Sequence, residues 1–481
     1  MAPLIEVKDW GWRHAGRQPW AVKNLNLEVE AGERILLLGA SGAGKSTFLH
    51  ALAGVLGAAD EGIATGTMTI GGKRPIDCRG QIGLVMQYPN SQVVLAKVGD
   101  DVAFGCENLG VPREEIWPRV EAALKSVSLD VGLDRPTSAL SGGQLQRLAI
   151  AGALAMDAQI LLLDEPTANL DPVGIQEVRA AIENVTADRQ RTLIVIEHRV
   201  QVWADLVDRV VVLGPDGIIA DGPPALVLET HRDELLAAGV WVPNSPLPPA
   251  RTYQTSATAD LWTRELTTGY SAQYPISRDL EVQIPAGLST CITGPNGAGK
   301  TTLGLTLVGL LEPLAGEVLA AQRLRPPASR KVDPAHPITW TSKQLLTRIG
   351  TVFQHPEHQF VAGTVREELA AGPLALGMSR PQVSNRVDEL LAQLHLEKLA
   401  HANPFTLSGG EKRRLSVGTV LATEPQVILL DEPTFGQDRN TWTDLVLLIQ
   451  EILGQGRTIV SVTHDDAYLQ VLGENHLEVH P

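Results

Sequence analysis

Two short stretches of the chain carry glycines, a lysine and a hydroxyl residue at the spacing that binds phosphate groups. They span residues 39–46 and 294–301, with Lys45 and Lys300 at matching positions. Glycine lets consecutive backbone N–H groups turn toward phosphate oxygens at the positive end of a following helix. The lysine then reaches the terminal phosphates of a nucleotide, and the hydroxyl reaches Mg²⁺. The pattern predicts phosphate binding at two places.

An apolar, strand-like run precedes each stretch and a helical pattern follows it, which is the order of strand, loop and helix in a P-loop. A glycine-rich turn with a surface lysine is the alternative, and the repetition argues against it. The predicted nucleotide contacts are Gly39, Ser41, Gly42, Ala43, Gly44, Lys45, Ser46 and Thr47 in the first half, and Gly294, Asn296, Gly297, Ala298, Gly299, Lys300, Thr301 and Thr302 in the second.

Acidic residues follow apolar runs at 160–163 and 427–430, each time as Asp-Glu-Pro-Thr. Such a run is typical of a buried parallel strand that delivers carboxylates to the edge of a sheet. There an aspartate can hold Mg²⁺, and a glutamate can orient and deprotonate water. The predicted metal ligands are Asp164 and Asp431, with Ser46 and Thr301, and the predicted bases are Glu165 and Glu432.

Two further motifs also occur once in each half. Histidines at 198 and 464 end apolar strands, where a histidine can hydrogen-bond a terminal phosphate and the attacking water. A serine and two glycines open a predicted helix whose free N–H groups can bind an anion. We therefore add these residues to the candidate site: His198, His464, Ser141, Gly142, Gly143, Ser408, Gly409 and Gly410.

Composition and length agree with two nucleotide-binding domains. The chain has 481 residues, of which 44% are hydrophobic and 20% charged, as in ordinary globular proteins. Its formal net charge of −15 argues against a partner that is long nucleic acid. The three cysteines lack metal or disulfide spacing, which indicates buried or idle thiols. We predict domains at 1–230 and 260–481, joined by a proline-rich linker at 231–259.

The N-terminal residues do not show the pattern of a signal peptide, and apolar runs stay shorter than a membrane span. We therefore expect any membrane role to depend on a partner. The halves differ mainly in one insertion of 12 residues, since Gln354 lies 54 positions after Lys300 and Gln87 lies 42 after Lys45. The extra residues fall near 323–338, where we predict a surface loop.

Together these motifs resemble the ATP-binding cassette (ABC) ATPase family over almost the whole chain. The resemblance implies an α/β fold of two tandem P-loop domains, each with a mostly parallel sheet, an antiparallel β subdomain and a helical subdomain carrying Leu-Ser-Gly-Gly. It also implies ATP and Mg²⁺ as ligands, with Gln87 and Gln354 at the metal. In that family two cassettes pair head to tail, so that Lys45 would face Ser408 and Lys300 would face Ser141.

Aromatic residues ahead of each P-loop are candidates for stacking on adenine, because a flat ring accepts a base at little entropic cost. Trp12, His14 and Tyr270 are the candidates. Trp10 and Trp20 are expected to pack on the neighbouring strands instead.

The segment after each glutamine indicates the partner. Residues 98–110, reading Val-Gly-Asp-Asp-Val-Ala-Phe-Gly-Cys-Glu-Asn-Leu-Gly, resemble the ATPases of energy-coupling factor (ECF) importers for vitamins and metal ions. The resemblance implies a multi-span transmembrane coupling protein and a small substrate-binding membrane subunit as partners, with the chain held peripherally at the cytoplasmic face of the membrane. The second half departs from this pattern at 368–373, so its groove is expected to differ.

Two rival functions fit the same motifs. A conventional ABC importer or exporter subunit would copurify with a two-copy or fused permease. A tandem-cassette ATPase acting on ribosomes or DNA is expected to carry a charged linker, basic extensions, zinc cysteines or a coiled coil, which this acidic chain lacks. The transported substrate stays open, because selectivity in ECF systems belongs to another subunit.

Overall fold

A computed structural model of the chain describes residues 3–16, 18–56, 61–87, 91–168, 170–253 and 258–480. Residues 88–90 of the first glutamine segment and 254–257 of the predicted linker lie outside these ranges. The chain forms two compact units. The first runs to Ser245 and includes Asp438–Asn440, and the second begins at Pro246.

The first unit alternates strands and helices. In chain order they are β1 (Ile5–His14), β2 (Val22–Val29), β3 (Arg34–Gly39), α1 (Lys45–Leu52), β4 (Gly62–Ile70), β5 (Ile82–Val85), α2 (Val98–Asn108), α3 (Arg113–Ser126), α4 (Gly142–Ala155), β6 (Ile160–Asp164), α5 (Pro172–Thr186), β7 (Thr192–Ile196), α6 (Val200–Trp203), β8 (Arg209–Gly214), β9 (Gly217–Gly222), α7 (Pro224–Thr230) and α8 (Arg232–Ala237).

The main sheet of this unit has the strand order β5-β6-β7-β3-β8-β9. The first five strands are parallel, and β9 is antiparallel to β8. Gln87, the Asp-Glu pair, His198 and the P-loop follow β5, β6, β7 and β3, which are neighbours in the sheet. Because the carboxyl ends of parallel strands share one edge, four motifs that are far apart in sequence meet there.

Alternating side chains of the strands enter two different cores, one on each face of the sheet. Leu161 and Leu163 of β6 pack in a core with the helices α2 to α5, whereas Ile160 and Leu162 pack in a core with β1, β2, β4 and α1. The strands β2-β1-β4 form a separate antiparallel sheet. Burial on both faces explains why β6 is a continuous apolar run.

The second unit repeats this order. Its elements are β10 (Ala259–Thr268), β11 (Ser277–Leu280), β12 (Gln283–Pro285), β13 (Ser289–Thr293), α9 (Lys300–Leu307), β14 (Ala315–Ala320), α10 (Ser342–Leu346), β15 (Ile349–Val352), α11 (Val365–Ala375), α12 (Arg380–Gln393), α13 (Gly409–Leu421), β16 (Val427–Asp431), α14 (Arg439–Gly454), β17 (Thr458–Val462), α15 (Asp466–Leu472) and β18 (Asn475–Glu478).

Its main sheet is wholly parallel, with the order β15-β16-β17-β13-β18. An antiparallel sheet is built on β10, which pairs with β11, β12 and β14. The predicted fold class is therefore confirmed for both units. All three cysteines are free and buried, as predicted. In the part of the chain that the structure describes, every helix is too short or too polar to cross a membrane.

The insertion at 323–338 is anchored to the core of the second unit. Leu324 and Val332 are buried in the core of the second unit. The guanidinium of Arg323 pairs with Asp260, which is fully buried and also accepts a 2.6 Å hydrogen bond from Thr458. The surface-loop prediction is confirmed, since the segment is irregular and residues 327–331 are exposed, but Pro and Arg content does not reveal an ion pair formed with a residue 63 positions away.

Candidate active sites

The first P-loop has the backbone of a phosphate cradle. Gly42 and Gly44 adopt φ angles of 80° and 85°, which favour glycine. A Cβ on Gly44 would lie 2.3 Å from the carbonyl oxygen of Ala21, whereas one on Gly42 would meet open space. Lys45 is buried, and its Nζ donates to the carbonyls of Gly39 and Ala40 at 2.8 and 2.9 Å. Burial lowers the pKa of this amine.

The second P-loop has matching geometry. Gly297 and Gly299 have φ angles of 83° and 89°. Lys300 Nζ donates to the carbonyls of Gly294 and Pro295 at 2.8 and 3.0 Å. In each loop the lysine therefore donates hydrogen bonds to carbonyls of the loop itself. The lysine can exchange these bonds for bonds to phosphate oxygens.

The predicted Mg²⁺ ligands of each unit lie together. Ser46 hydrogen-bonds Asp164, and Thr301 Oγ1 donates to both carboxylate oxygens of Asp431 at 3.2 and 3.0 Å. Burial raises the pKa of each aspartate to about 6, with the neighbouring glutamate adding to the rise and the hydroxyl hydrogen bond opposing it. Burial and the neighbouring glutamate destabilise the charged form of each aspartate, and a bound cation would relieve this.

The first predicted base sits between two partners. Gln87 Nε2 donates to Glu165 Oε2 at 2.6 Å, and His198 Nε2 lies 2.9 Å from Glu165 Oε1. Burial acts to raise the pKa of Glu165, but the charge and hydrogen bond of His198 outweigh it and hold that pKa below its ordinary value. The pKa of His198 is raised, because Glu165 outweighs the effect of burial. The pair is thus favoured as carboxylate and imidazolium.

The second unit forms the same glutamate–histidine pair with a different supporting group. His464 Nδ1 lies 2.9 Å from Glu432 Oε1. The buried Arg413 donates to the carbonyls of Phe353 and Gln354 at 2.8 and 2.6 Å. Gln354 is therefore held through its backbone, whereas Gln87 contacts the base through its side chain.

Both glutamates adopt a backbone conformation that is unusual for residues other than glycine. Glu165 has a φ of 48° and Glu432 a φ of 47°. Each backbone N–H still bonds the carbonyl at the end of the adjacent strand, Ile196 at 3.0 Å and Val462 at 2.9 Å. A left-handed residue is maintained only where its surroundings fix it, and such residues cluster at functional sites.

The predicted anion-binding serines lie at helix starts. Ser141 caps α4 and Ser408 caps α13, each in a reciprocal capping box with Gln144 or Glu411. Within its own unit, the structure brings together the P-loop, the glutamine, the Asp-Glu pair and the histidine. The pairing of each serine with the opposite P-loop stays a prediction.

The aromatic candidates occupy different environments. Trp12 is 3% exposed and packs in the core against β4, so its selection for base stacking was wrong: its hydrophobic surface is used by the fold. Trp12 Nε1 donates to His14 Nδ1 at 3.2 Å, and His14 Nε2 lies 3.4 Å from Thr47 Oγ1. Tyr270 is 70% exposed. His14 and Tyr270 stay candidates.

Sequence reasoning missed several supporting residues. Gln92 bonds the backbone of Met86 and Leu84, and Gln359 bonds the N–H of Phe353, so the second glutamine of each Gln-x-Pro-x-x-Gln segment braces the loop. It also missed the acids beside the histidines, Glu197 and Asp465. The sequence feature that could have revealed them is an acidic residue next to the histidine that follows a buried strand. The acid precedes the histidine in the first half and follows it in the second.

These residues fit MgATP. Mg²⁺ prefers oxygen ligands and is usually bound by one or two carboxylates together with substrate phosphates, which matches one aspartate and one hydroxyl per unit. Among the described residues there is accordingly no cluster of three or more His, Cys, Asp or Glu side chains that could hold a metal ion alone. The lysines supply the positive charge that the phosphates require.

The chain belongs to the ABC transporter family, whose family model matches residues 22–168 and 277–435. A Bacillus subtilis relative that carries the name HMP/thiamine import ATP-binding protein YkoD is 31% identical over 507 residues, covering 99% of this chain and 90% of that protein. An ABC transporter ATP-binding protein of Methanosarcina acetivorans is 32% identical, with 96% of this chain and 82% of that protein covered. As a member of this family, the chain is an ATPase.

A solved structure shares the tandem fold. A chain in the structure described as ribosome-bound archaeal Pelota and ABCE1 has a TM-score of 0.67 and 22% identity, covering 98% of this chain and 76% of that one. At this identity the likeness concerns the fold alone.

Proposed function

We propose that the chain is the energy-coupling ATPase of an ECF-type importer for a water-soluble vitamin, a vitamin precursor or a metal ion. It would act at the cytoplasmic face of the membrane, held there by a multi-span coupling protein that also carries a small substrate-binding subunit. Support comes from the import function in the name of the Bacillus subtilis relative and from the ECF-like segment at 98–110, most of which forms α2.

Hydrolysis in each unit is assigned to the groups that meet at the sheet edge. Lys45 and Lys300 hold the phosphates, and Glu165 and Glu432 accept the proton of the attacking water. The histidine beside each glutamate keeps it oriented and contacts the terminal phosphate. Phosphoryl transfer to water depends mainly on such positioning and charge stabilisation.

The metal site is assigned to Asp164 with Ser46, and to Asp431 with Thr301. Mg²⁺ held by these residues would supply neutralisation of the charge on the phosphates. Gln87 and Gln354 are assigned near the metal, and the signature serines Ser141 and Ser408 complete the sites when the cassettes close on ATP.

We assign contact with the membrane partner to an exposed apolar surface on the first unit. Val55, Ile76 and Leu109 are 53%, 45% and 47% exposed. Their segments meet at residues 75–81, since a Cβ on Gly54 would be 2.8 Å from the Cα of Ile76 and one on Gly80 would be 2.9 Å from the side chain of Leu109. We call this cluster the apolar turn. Exposed apolar side chains that adjoin one another mark interaction sites, and helices dock on such surfaces.

The second unit has a counterpart. Leu310 and Ile338 are 48% and 38% exposed, and a Cβ on Gly309 would lie 2.9 Å from the backbone of Ile338. The position of Leu109 is taken by Leu376, which directly follows α11, a helix whose sequence differs from that of α2. Two similar but unequal surfaces suit an asymmetric membrane partner with two coupling helices.

The test is affinity purification of the tagged chain from its own membranes in mild detergent, with mass spectrometry of the bound proteins. We compare the wild type with Ile76→Asp/Leu109→Asp and with Leu226→Asp, a matched control at an apolar position 54% exposed on α7. The wild type and the control should recover one multi-span protein and one small membrane protein, and the double variant should lose both.

Other outcomes would contradict the proposal. Recovery of a two-copy or fused permease would indicate a conventional ABC transporter. Recovery of ribosomal proteins would remove the ECF role while leaving the ATPase in place. Equal recovery of the membrane proteins by the double variant would mean that the apolar turn is not the docking surface.

A further inference from the structure

A buried carboxylate adjoins the site histidine in each unit, but on opposite sides of it in the sequence. Glu197 precedes His198 and is 4% exposed, and Asp465 follows His464 and is 9% exposed. Charged side chains are rarely buried to this extent unless they are paired or hydrogen-bonded. Their hydrogen bonds therefore indicate what each one holds in place.

In the first unit, Glu197 receives donors from two parts of the site. The backbone N–H of Thr167 donates to Glu197 Oε1 at 3.0 Å, and the hydroxyl of Thr167 donates to the same oxygen. The N–H of His198 donates to Oε2 at 3.2 Å. Burial raises the pKa of Glu197, and the bonds from Thr167 act in the opposite direction. The carboxyl group acts as an acceptor in all three bonds.

In the second unit, Asp465 accepts a hydrogen bond from the equivalent threonine. The hydroxyl of Thr434 donates to Asp465 Oδ2 at 2.8 Å, and Trp442 Nε1 donates to the same oxygen at 2.7 Å. Asp465 Oδ1 accepts the N–H of Ala467 at 3.0 Å and thereby caps α15. The threonine two residues after the base is thus held by an acid beside the histidine in both units.

This link joins the two strand ends that must stay aligned. The threonine belongs to the Asp-Glu-Pro-Thr turn at the end of β6 or β16, and the acid lies directly after β7 or three residues after the end of β17. Two residues before each threonine, the glutamate has a left-handed backbone conformation. Its surroundings must maintain this conformation. With the link in place, the glutamate–histidine distance is 2.9 Å in both units.

We propose that Glu197 and Asp465 are equivalent positioning residues, which tie the Asp-Glu-Pro-Thr turn to the histidine strand from opposite sides of the histidine. They act through Thr167 and Thr434 and keep the base and the histidine in register for hydrolysis. This inference rests on the roles proposed above for Glu165 and Glu432.

The first test removes the threonine hydroxyl in both units of the full chain. Thr167→Val/Thr434→Val keeps side-chain shape, and we expect kcat for ATP hydrolysis to fall about 10- to 100-fold, since small misplacements of reacting groups cost that much. The KM for ATP should stay within about twofold, because the P-loops are untouched. Thr167→Ser/Thr434→Ser restores the hydroxyl and should recover most of the rate.

The second test moves the acid. Glu197→Thr should lower kcat, and Glu197→Thr/Arg199→Asp, which copies the order of the second unit, should regain at least half of the loss. Arg199 suits this exchange because it is exposed and stands at the N-cap position of α6, as Asp465 does for α15. A capping acid at this position is also compatible with helix formation.

The results separate this inference from the proposed function. A kcat within twofold of wild type in the valine pair, an effect confined to KM, or a double variant no faster than Glu197→Thr would overturn it. None of these would affect the assignment of Glu165 and Glu432, which is tested separately by their glutamine variants.

Discussion

The two units of this chain place the same four motifs on four neighbouring parallel strands, yet they support them with different residues. Gln87 contacts the base of the first unit through its side chain, whereas the backbone of Gln354 is held by Arg413. The acid that binds the Asp-Glu-Pro-Thr turn changes from one side of the histidine to the other. The reacting groups and their spacing are therefore kept, while the residues that fix them are exchanged.

The position of Arg413 illustrates this exchange. Its counterpart in the first unit is Gln146, whose Nε2 reaches the carbonyl of Met86 at only 3.5 Å, the outer limit of a hydrogen bond. Both side chains are almost fully buried. The second unit thus joins α13, the helix that Ser408 caps, to the residues after β15 more strongly than the first unit joins α4 to the residues after β5.

The largest effect is expected from removing both bases. Glu165→Gln/Glu432→Gln should lower kcat for ATP hydrolysis by at least about 10²–10⁴-fold, the typical contribution of a general base. Binding of ATP, measured by equilibrium dialysis, should persist because both lysines are retained. Hydrolysis near the wild-type rate would show that neither glutamate is the base.

A smaller effect is expected where the units differ most. Arg413→Gln should weaken the glutamine loop of the second unit by about 1.5–3 kcal/mol, the net value of a hydrogen bond to a charged group. Hydrogen exchange of the peptide containing Phe353 measures this as a lower opening free energy. The control is Gln146→Leu, for which the peptide containing Met86 should change by less than about 1 kcal/mol. Equal changes in the two units would abolish the contrast.

Removing a metal ligand tests what the units share. Asp164→Asn/Asp431→Asn should raise the Mg²⁺ concentration for half-maximal hydrolysis at least about tenfold, since even residues that only orient metal ligands contribute that much to affinity. The control Asp134→Asn changes an exposed acid paired with Lys97 and should leave the Mg²⁺ dependence as in wild type. An unchanged Mg²⁺ dependence in the double variant would mean that other groups hold the metal.

The smallest effect concerns the base of the nucleotide. Tyr270→Ala should raise the dissociation constant for ATP at the second unit by about two- to tenfold, as expected for one aromatic contact of 0.5–1.5 kcal/mol. Tyr274→Ala removes an equally exposed ring from the same turn and serves as the control. Titration with a fluorescent ATP analogue compares them. Equal effects of the two variants would exclude a specific contact of Tyr270 with the base.

Sequence alone predicted the fold class and the grouping of the chemical motifs, because each P-loop, Asp-Glu pair and histidine directly follows an apolar strand. Lys45, Glu165 and His198 lie in one cluster because each follows a strand of the same parallel sheet, and the carboxyl ends of such strands share one edge.

The supporting contacts were beyond sequence reasoning, because they depend on which side chains meet across elements. Trp12 has the residue type of a base-stacking group but is buried against its own sheet. Arg323 lies in the predicted loop, but its pairing with the buried Asp260 could not be read from the sequence. Glu197 and Asp465 occupy different sequence positions, so comparing the halves position by position does not reveal that they bond the same threonine.

We propose that each unit hydrolyses ATP with its own glutamate. A single-turnover assay tests it most directly: chains loaded with two ATP are mixed with Mg²⁺, quenched with acid, and the ADP formed per chain is counted. Wild type should convert both nucleotides, Glu165→Gln and Glu432→Gln one each, and the double variant neither. If either single variant converts both nucleotides, or converts none, the two units do not act as equivalent hydrolytic sites and the claim is wrong.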